Sequence, residues 1–385
     1  MSSPTQIGLE IFGLTDVGQI REHNEDNFLI ADLSGERGTR ANDGTYEVKQ
    51  KGFILGVCDG MGGAAAGEVA SQLAVDVIFE TLAKQGAPGS RDELARRLVA
   101  SVERAGYLIY EEARADRDRR GMGTTATVGA LVDSRLFIAQ VGDSRAYILR
   151  DGQLVQVTRD QSLVNQLIEA GQLTEEEAEN FEHNNIILQA LGTADTVQVD
   201  LTYADLRQDD TVMFCSDGLS GMIRSDDIRR ILSSATQPKA ACRELIALAN
   251  QAGGHDNITV IVAKVEAKDA PTQAAAALCY RKYLVDGGMA DATIKAPAVA
   301  PDSMEVGEVS EEAARESRSL KVGHTMLGMQ SPFSEDDLPP FDPEPRTKSE
   351  SLPEIPTRGL PPSVVGFLIV SAMLIVTVMG FFLFR

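Results

Sequence analysis

The sequence predicts an α+β fold in which helices cover β-sheets, because segments of two different periodicities alternate along the chain. Four short segments rich in β-forming residues are joined by tight turns, and they predict a meander: residues 124–132, 135–141, 145–150 and 153–157. Two longer segments carry apolar residues at helical spacing. This mixture excludes a helical bundle.

The first clear strand is the apolar run FILGV at residues 53–57, which leads directly into Asp59. A helix is predicted to begin at the Gly62 turn and to keep one apolar side, made of Val69, Leu73, Val77 and Leu82. A second helix over residues 91–114 repeats apolar residues every three or four positions, with charged residues on the opposite side. Both helices are therefore expected to lie on the outside of a sheet.

Composition limits the classes of protein to which the chain can belong. Its 385 residues, 43% of them hydrophobic, can bury one large core or two smaller ones. The formal net charge of −21 argues against a nucleic-acid partner, because such binders normally present a basic surface. The cysteines lack the paired spacing of metal sites, and we interpret them as small buried residues in a reducing cytosol: Cys58, Cys215, Cys242 and Cys279.

Three regions differ in composition. Residues 6–266 alternate strand and helix patterns with short turns, as a compact and monomeric catalytic domain would. Residues 267–362 are rich in Ala, Pro, Glu and Ser, and they predict a disordered acidic and proline-rich linker. Residues 363–384 are an uninterrupted apolar run, roughly 33 Å long as a helix, which is long enough to cross a bilayer.

The apolar run carries no charge before Arg385, so a membrane helix is favoured over a buried core helix, which would show a polar face. Arg346, Lys348 and Arg358 precede the run, and the positive-inside rule therefore predicts that the large domain faces the cytoplasm. The first nine residues lack the pattern of a signal peptide. The expected location is the cytoplasmic membrane, crossed once.

Four aspartates are interpreted as standing in tight glycine-punctuated turns that each follow an apolar run: Asp59, Asp143, Asp217 and Asp256. Glycine frees such turns from helical geometry, so carboxylates from distant segments can converge at the ends of strands. Hard divalent cations prefer several oxygen ligands in octahedral geometry. The pattern therefore predicts a divalent-metal site.

Eight motifs between residues 6 and 265 resemble the metal-dependent protein Ser/Thr phosphatases of type 2C, in their bacterial form. They are TDVGQIREHNED (15–26), VCDGMGG (57–63), AAAGEVAS (64–71), GTTAT (123–127), VGDSRAY (141–147), TRDQSLVNQLIEAG (158–171), SDGL (216–219) and GGHDNITV (253–260). Each Asp-Gly pair alone would predict an ordinary turn. Their joint order and spacing carry the resemblance.

The resemblance implies a four-layer α/β/β/α sandwich, with two antiparallel sheets flanked by helices and a metal site at one end. It implies that Asp59 bridges two Mn²⁺ or Mg²⁺ ions and that the carbonyl of Gly60 binds one of them. Asp217 and Asp256 would complete the ligand shell of the other ion. Asp143, with Asp217, would hold a weaker third ion.

By the same resemblance, Glu25 and Asp26 would hydrogen-bond metal-bound water. Two cations roughly 3.5–4 Å apart can bridge a water molecule and supply hydroxide for attack on a phosphorus atom. Arg21 is the candidate phosphate clamp, because its planar guanidinium can bind a phosphate through two hydrogen bonds. Taken alone, Arg21 would be interpreted as a surface ion pair with Glu22 or Glu25.

The sequence leaves the general acid open. Met61 stands where some members of the family have a histidine after the Asp-Gly pair, and Ala64 stands where many bacterial members have another. His23 and His255 lie near metal motifs, although a histidine beside carboxylates is more often a hydrogen-bond partner than a catalyst. A metal-bound water is the other candidate.

Residues 162–185 correspond, by the resemblance, to a flap beside the active site that can read substrates. The alternative is a plain amphipathic helical hairpin, and His183 within it is a weak candidate site.

The resemblance and the C-terminal apolar run together predict a membrane-tethered enzyme that removes phosphate from phosphoserine and phosphothreonine in proteins and opposes bacterial Ser/Thr kinases. The alternative is a non-catalytic, membrane-tethered module that binds phosphoproteins. The presence of Arg21 and all four aspartates favours the enzyme. A two-metal nuclease is disfavoured by the acidic charge.

Overall fold

A computed structural model of the chain describes residues 6–35, 38–62, 66–179, 181, 185–268 and 278–284. Contacts divide the chain into two units, residues 1–301 and 302–385, and the described residues belong to the first. The predicted membrane span at 363–384 and most of the predicted linker lie outside the described residues. Within the described ranges, no helix combines the length and apolar character needed to cross a membrane.

The strands among the described residues are β1 (Gln6–Asp16), β2 (Asp26–Asp32), β3 (Thr39–Arg40), β4 (Asp43–Glu47), β5 (Phe53–Met61), β6 (Gly123–Thr124), β7 (Ala126–Val132), β8 (Arg135–Val141), β9 (Arg145–Arg150), β10 (Gln153–Gln156), β11 (Asp200–Asp205), β12 (Thr211–Cys215) and β13 (Ile258–Lys268). The α-helices are α1 (Ala66–Ala83), α2 (Arg91–Ala115), α3 (Leu163–Glu169), α4 (Glu175–Glu179), α5 (Asp217–Ser220), α6 (Ser225–Ser234) and α7 (Pro238–Gln251).

The strands form two antiparallel sheets. The first has the order β10-β9-β12-β13-β1-β4, and the second has the order β11-β8-β7-β5-β2-β3, with β6 paired to β5. Inward-facing residues such as Ile11, Val57 and Phe214 form a buried core that joins the two sheets. Alternation along each strand places one face on this core and the other under a helix layer.

Helices cover both sheets on their outer faces. α1 and α2 pack against the second sheet through a core that includes Ile78 and Leu98, and α6 and α7 pack on the first sheet through Ile231 and Leu245. The two antiparallel sheets with flanking helices predicted from the sequence are therefore confirmed.

The predicted helix over residues 91–114 is confirmed as α2. Ser90 begins it, because its side chain accepts a hydrogen bond from the Glu93 amide at 3.1 Å. The apolar side predicted for α1 is partly wrong. Leu82 is buried as predicted, but Val69, Leu73 and Val77 are only partly buried, and the centre of the buried side is formed by Ala70, Ala74 and Ile78. Small side chains let the helix approach the sheet closely, a requirement that apolar periodicity alone does not reveal.

The predicted meander over residues 124–157 is wrong. β7 and β8 form a hairpin in the second sheet, whereas β9 and β10 form a hairpin in the first. The chain crosses between the sheets through Gly142, Asp143 and Ser144, and Gly142 has a φ of 101° that glycine adopts readily. Turn residues specify each hairpin, but they do not specify the sheet that the hairpin joins.

The predicted boundary at residue 266 also differs from the structure. β13 continues to Lys268, and residues 278–284, which lie inside the segment predicted to be a disordered linker, pack along β11.

Candidate metal and phosphate site

Asp59 and Asp26 lie on neighbouring strands of the second sheet. β2 and β5 are antiparallel, and their register places Asp26 directly opposite Asp59. The Asp59 backbone is held on its other side by Thr125: the Asp59 amide donates to Thr125 Oγ1 at 3.0 Å, and the Thr125 amide donates to the Asp59 carbonyl at 2.8 Å. Two acidic side chains are thereby fixed at one end of the sandwich.

Gly60 follows Asp59 at a position where the backbone is crowded. A Cβ atom there would lie 2.3 Å from the carbonyl oxygen of Gly67 and 2.4 Å from that of Glu25. The Gly60 amide donates to the same Glu25 oxygen at 3.2 Å. Only glycine fits, so the start of α1 and the loop that carries Glu25 can approach the strand bearing Asp59.

Asp217 and Asp256 come from the first sheet. Asp217 begins α5 just after β12, and Asp256 comes two residues before β13. Because β12 and β13 are antiparallel neighbours, the end of one lies beside the beginning of the other. A Cβ at Gly218 would lie 2.0 Å from the carbonyl oxygen of Asn257, so this pair of turns also depends on glycine.

Asp143 lies on the crossing between the sheets, and only 7% of its surface is exposed. Next to it, Ser144 Oγ shares a hydrogen bond of 2.8 Å with Thr125 Oγ1, and Ser144 O accepts another from Thr127 Oγ1 at 2.8 Å. The crossing is therefore tied through Thr125 to the strand that carries Asp59.

Burial and mutual repulsion perturb the carboxyl groups. Burial is the main cause that raises the pKa of Asp26 to about 7, and the charges of Asp217 and Asp256 add to it. Burial likewise raises the pKa of Asp143 to about 7, with the charge of Asp217 as the next cause. Burial also raises the pKa of Asp217, and it raises that of Asp59 well above its usual range. The charges of Asp26 and Asp217 raise the pKa of Asp59 further.

Three buried carboxylate oxygens of this cluster lack a hydrogen-bond donor. Asp26 Oδ1, Asp143 Oδ1 and Asp217 Oδ1 are buried and have no hydrogen-bond partner. A buried carboxylate oxygen without a donor is costly, and a hard divalent cation would compensate for it. Among the described residues, however, no three acidic, His or Cys side chains are placed to coordinate one ion together. Mn²⁺ and Mg²⁺ keep several waters, and the assignment of Asp59, Asp217 and Asp256 to one ion stays a prediction.

Arg21 lies at the same end of the sandwich, and it is half exposed. Its Nη2 is 2.7 Å from Asp256 Oδ2, so the partner is a predicted metal ligand rather than the Glu22 or Glu25 side chain that the alternative interpretation named. Burial raises the pKa of the nearby Glu25, and the Arg21 charge opposes that shift. An exposed cationic side chain at the rim of a carboxylate cluster is suited to an incoming phosphate.

Residues 36–252 match the family model described as Protein phosphatase 2C. Serine/threonine phosphatase stp of Listeria innocua is 36% identical over 248 residues, which are 64% of this chain and 92% of that protein. The chain belongs to the protein phosphatase 2C family. Among solved structures, the S. agalactiae serine/threonine phosphatase is 36% identical with a TM-score of 0.59, covering 66% of this chain and 98% of that one.

A second solved relative bears on the metal. The catalytic domain of the protein phosphatase PstP in complex with two manganese ions is 33% identical, with a TM-score of 0.57. The match covers 68% of this chain and 99% of that one. The buried oxygens described above are thus those of a chain whose fold holds manganese in a relative.

Two polar residues that the sequence analysis did not single out hold the phosphatase 2C site together. Asn257 Oδ1 accepts from the Glu25 amide at 2.8 Å, and Asn257 Nδ2 donates to the carbonyls of Val17 and His23, each at 2.9 Å. Ser216 Oγ donates to Asp26 Oδ2 at 2.8 Å and accepts from the Thr259 amide at 3.0 Å. Both stand inside the quoted motifs, each next to one of the predicted ligand aspartates.

The flap predicted at residues 162–185 contains α3 and α4, and its base is closed by backbone hydrogen bonds. The Leu163 amide donates to the Ile186 carbonyl at 2.9 Å, and the Leu188 amide donates to the Gln161 carbonyl at 2.8 Å. Gln161 Oε1 accepts from the Gly142 amide at 2.9 Å. The flap base is therefore bonded to the crossing that carries Asp143.

No candidate for the general acid is decided by the geometry. Met61 ends β5, where it pairs with Gly123, and the carbonyl of His23 accepts from Asn257. The His255 ring is beside Gly253, where a Cβ would lie 2.7 Å from its Nε2. Ala64 and His183 lie outside the described residues.

Proposed function

We propose that this chain hydrolyses phosphate monoesters on phosphoserine and phosphothreonine residues of proteins. The observation that carries the proposal is the cluster of buried carboxylates with unpartnered oxygens, gathered from both sheets in a chain of the phosphatase 2C family. Its relatives are named as Ser/Thr phosphatases. The complete set of acidic residues favours an enzyme over a module that only binds phosphoproteins.

Separate residues of the site would bind the cations and the phosphate. Asp59, Asp217 and Asp256 would hold Mn²⁺ with the Gly60 carbonyl, and Asp143 would contribute to a third, weaker position. Bound divalent ions supply an activated water and neutralise charge on the phosphoryl oxygens. Mg²⁺ has the same ligand preferences and is the other candidate in the cell.

The protein groups around these carboxylates position them. Ser216 Oγ satisfies Asp26 Oδ2 and leaves Asp26 Oδ1 available at the site. Arg21 pairs with Asp256, and we infer that it transfers to a phosphate oxygen when substrate arrives. Such a transfer exchanges one charge-assisted hydrogen bond for another, so it costs little.

The test is phosphate release from a phosphothreonine peptide by the purified full chain. We expect turnover with Mn²⁺, none with excess EDTA, and loss of turnover in Asp217→Asn. Asp226→Asn is the matched control, since this aspartate on α6 has a side chain that is 90% exposed. Turnover that persisted in EDTA, or equal activity in the two variants, would refute metal-dependent hydrolysis at this site.

We further propose that residues 363–384 anchor the enzyme to the cytoplasmic membrane, with the catalytic domain on the cytoplasmic side. The uncharged apolar run and the preceding basic residues support this location. Ser/Thr kinases in the same membrane, and the proteins that they phosphorylate, are the proposed partners. Deleting residues 363–385 should move the protein from the membrane fraction to the soluble fraction, and an unchanged distribution would contradict the anchor.

A further inference from the structure

Residues 278–284 lie beyond the part of the chain that matches the phosphatase 2C family, yet they are bound to the catalytic sandwich. The Tyr283 amide donates to the Leu201 carbonyl at 2.7 Å, and the Tyr203 amide donates to the Arg281 carbonyl at 3.1 Å. Thr202 and Lys282 form an antiparallel bridge. The segment therefore adds a short strand to β11, and we call residues 278–284 the strap.

β11 is an edge strand of the second sheet, paired on one side with β8. Unpaired backbone groups along such an edge invite another strand, which proteins usually block with charges, a bulge or a covering segment. Here the strap occupies that side. Its composition suits the position, because two basic residues follow Tyr280 while β11 begins at Asp200 and ends at Asp205.

The Tyr283 ring fixes the strap in one register. It packs edge-on against Phe137, at 5.0 Å between ring centroids, and against Tyr203 at 5.5 Å. The guanidinium of Arg135 lies 4.9 Å from the Tyr203 ring centroid. The Tyr283 hydroxyl donates to Asp92 Oδ1 of α2. One tyrosine thus contacts β8, β11 and the helix layer, which is more than an incidental surface contact would provide.

Polar contacts of the strap converge on Asp200. The Tyr280 hydroxyl donates to Asp200 Oδ2 at 2.6 Å, and Lys282 Nζ lies 3.2 Å from Asp200 Oδ1. Asp200 is only 9% exposed, so these two groups are the partners of a nearly buried carboxylate. A carboxylate so buried needs the strap's hydroxyl and ammonium groups, because without them its charge would be left largely uncompensated.

Asp200 connects the strap with the site. It pairs with Gln140, the residue two positions before Gly142 on β8. Gln140 Nε2 donates to the carbonyls of Gly142 and Ser144 at 3.2 Å and 3.1 Å, on either side of Asp143. Gln140 Oε1 accepts from the Arg159 amide at 3.1 Å, just before the flap. Gln140 therefore links the edge strand β11 to the crossing at Asp143 and to the flap base.

We propose that the strap is a built-in part of the catalytic unit, which completes the β11 edge in cis and positions the Asp143 crossing and the flap base through Asp200 and Gln140. The occupant of this edge is the chain's own segment 278–284. The structural part of the proposal does not depend on the enzymatic activity, whereas any effect on turnover rests on the function proposed above.

Hydrogen exchange in the full-length chain tests the docking. The variant replaces residues 278–284 by a Gly-Ser segment of equal length, and Tyr283→Ala provides a milder change. We expect exchange in peptides covering residues 200–206 to accelerate by about tenfold or more, because the Tyr203 amide loses its acceptor. Exchange in residues 157–163 should accelerate by a smaller factor. Tyr107→Ala, on the exposed side of α2, is the matched control and should change neither segment.

A peptide added in trans makes the test specific. The sequence LCYRKYL of residues 278–284, with Cys279→Ser to prevent oxidation, should restore protection of residues 200–206 to the strap-replaced chain. The required concentration should be on the order of millimolar or above, because the tether supplies an effective concentration of that order. A scrambled peptide should restore nothing.

Unchanged exchange of residues 200–206 in the replaced chain would overturn the proposal. Rescue by the scrambled peptide would overturn its sequence-specific register. Accelerated exchange of residues 200–206 with no change in residues 157–163 would overturn the positioning of the flap base. Because exchange is measured without substrate, a chain that failed the phosphopeptide assay could still confirm the strap.

Discussion

Ser216→Ala removes one hydroxyl that serves two buried partners at the site. In the native chain Ser216 Oγ donates to Asp26 Oδ2 at 2.8 Å and accepts from the Thr259 amide at 3.0 Å. Ser216, Asp26 and Thr259 are all 5% exposed or less, so water cannot replace the hydroxyl at low cost. The substitution leaves a carboxylate oxygen and an amide without their partner.

The magnitude follows from these two losses. A hydrogen bond to a charged group contributes about 1.5–3 kcal/mol, and a buried amide left unsatisfied costs about 1–3 kcal/mol. These two costs are not fully additive, because one hydroxyl makes both hydrogen bonds. We therefore expect the free energy of unfolding to fall by about 3 kcal/mol. For a domain of this size each kcal/mol corresponds to roughly 2–4 °C, so the melting temperature should fall by about 6–12 °C.

Thermal unfolding followed by circular dichroism, with Mn²⁺ present, measures this change. Ser233→Ala is the matched control, because Ser233 is exposed on α6 and its hydroxyl donates only to the Arg229 carbonyl of the same helix. The control should shift the free energy of unfolding by no more than about 0.5 kcal/mol. A melting temperature for Ser216→Ala within 2 °C of the control, a margin below the roughly 2–4 °C expected per kcal/mol, would refute the inference that this hydroxyl supports Asp26.

Three further changes test other parts of the site. Gly60→Ala should lower the free energy of unfolding by about 3 kcal/mol, because its Cβ would meet backbone oxygens at 2.3 and 2.4 Å. Gly86→Ala is the control in the same denaturation series, and it should be neutral or slightly stabilising because the space around Gly86 is open. Arg21→Ala should raise the KM for a phosphopeptide by about ten- to a hundredfold and leave the melting temperature almost unchanged, since its ion pair is exposed; an unchanged KM would exclude Arg21 as the clamp. Iodoacetamide at pH 8 should label Cys279 alone in the native chain, because burial raises the pKa of each other thiol to about 12, and mass spectrometry should find no label before unfolding on Cys58, Cys215 or Cys242.

The sequence was sufficient to predict the convergence of the acidic residues. Asp59, Asp143 and Asp217 each stand beside a glycine, Asp256 stands two residues after Gly254, and the structure brings the first three into one mutually repelling cluster. Such signals are local, since a glycine-bearing turn at a strand end is readable within about ten residues. The ligand role of each residue stays a prediction, because it depends on ions and waters and not on the chain alone.

Features that depend on distant pairing could not be predicted. The assignment of β8 and β9 to different sheets depends on which core accepts each strand, and alternation within the strands is the same in both cases. The strap could not be predicted from the sequence either, because residues 278–284 stand among Ala- and Pro-rich segments whose composition resembles a linker. Only the exposed edge of β11, which no local pattern reveals, gives the strap a place to bind.

The acidic residues of the site come from both sheets, so their charges affect the stability of the contact between the sheets. Asp26 and Asp59 belong to the second sheet, Asp217 and Asp256 flank strands of the first, and Asp143 lies on the crossing between them. Without cations, ionised carboxylates repel each other across this end of the sandwich, and burial increases the cost. A bound divalent ion would reverse the sign of this contribution, because it would attract acidic groups of both sheets at once. Metal should therefore stabilise the contact between the sheets as well as the site, and EDTA should lower the melting temperature of the whole sandwich rather than loosen the site alone.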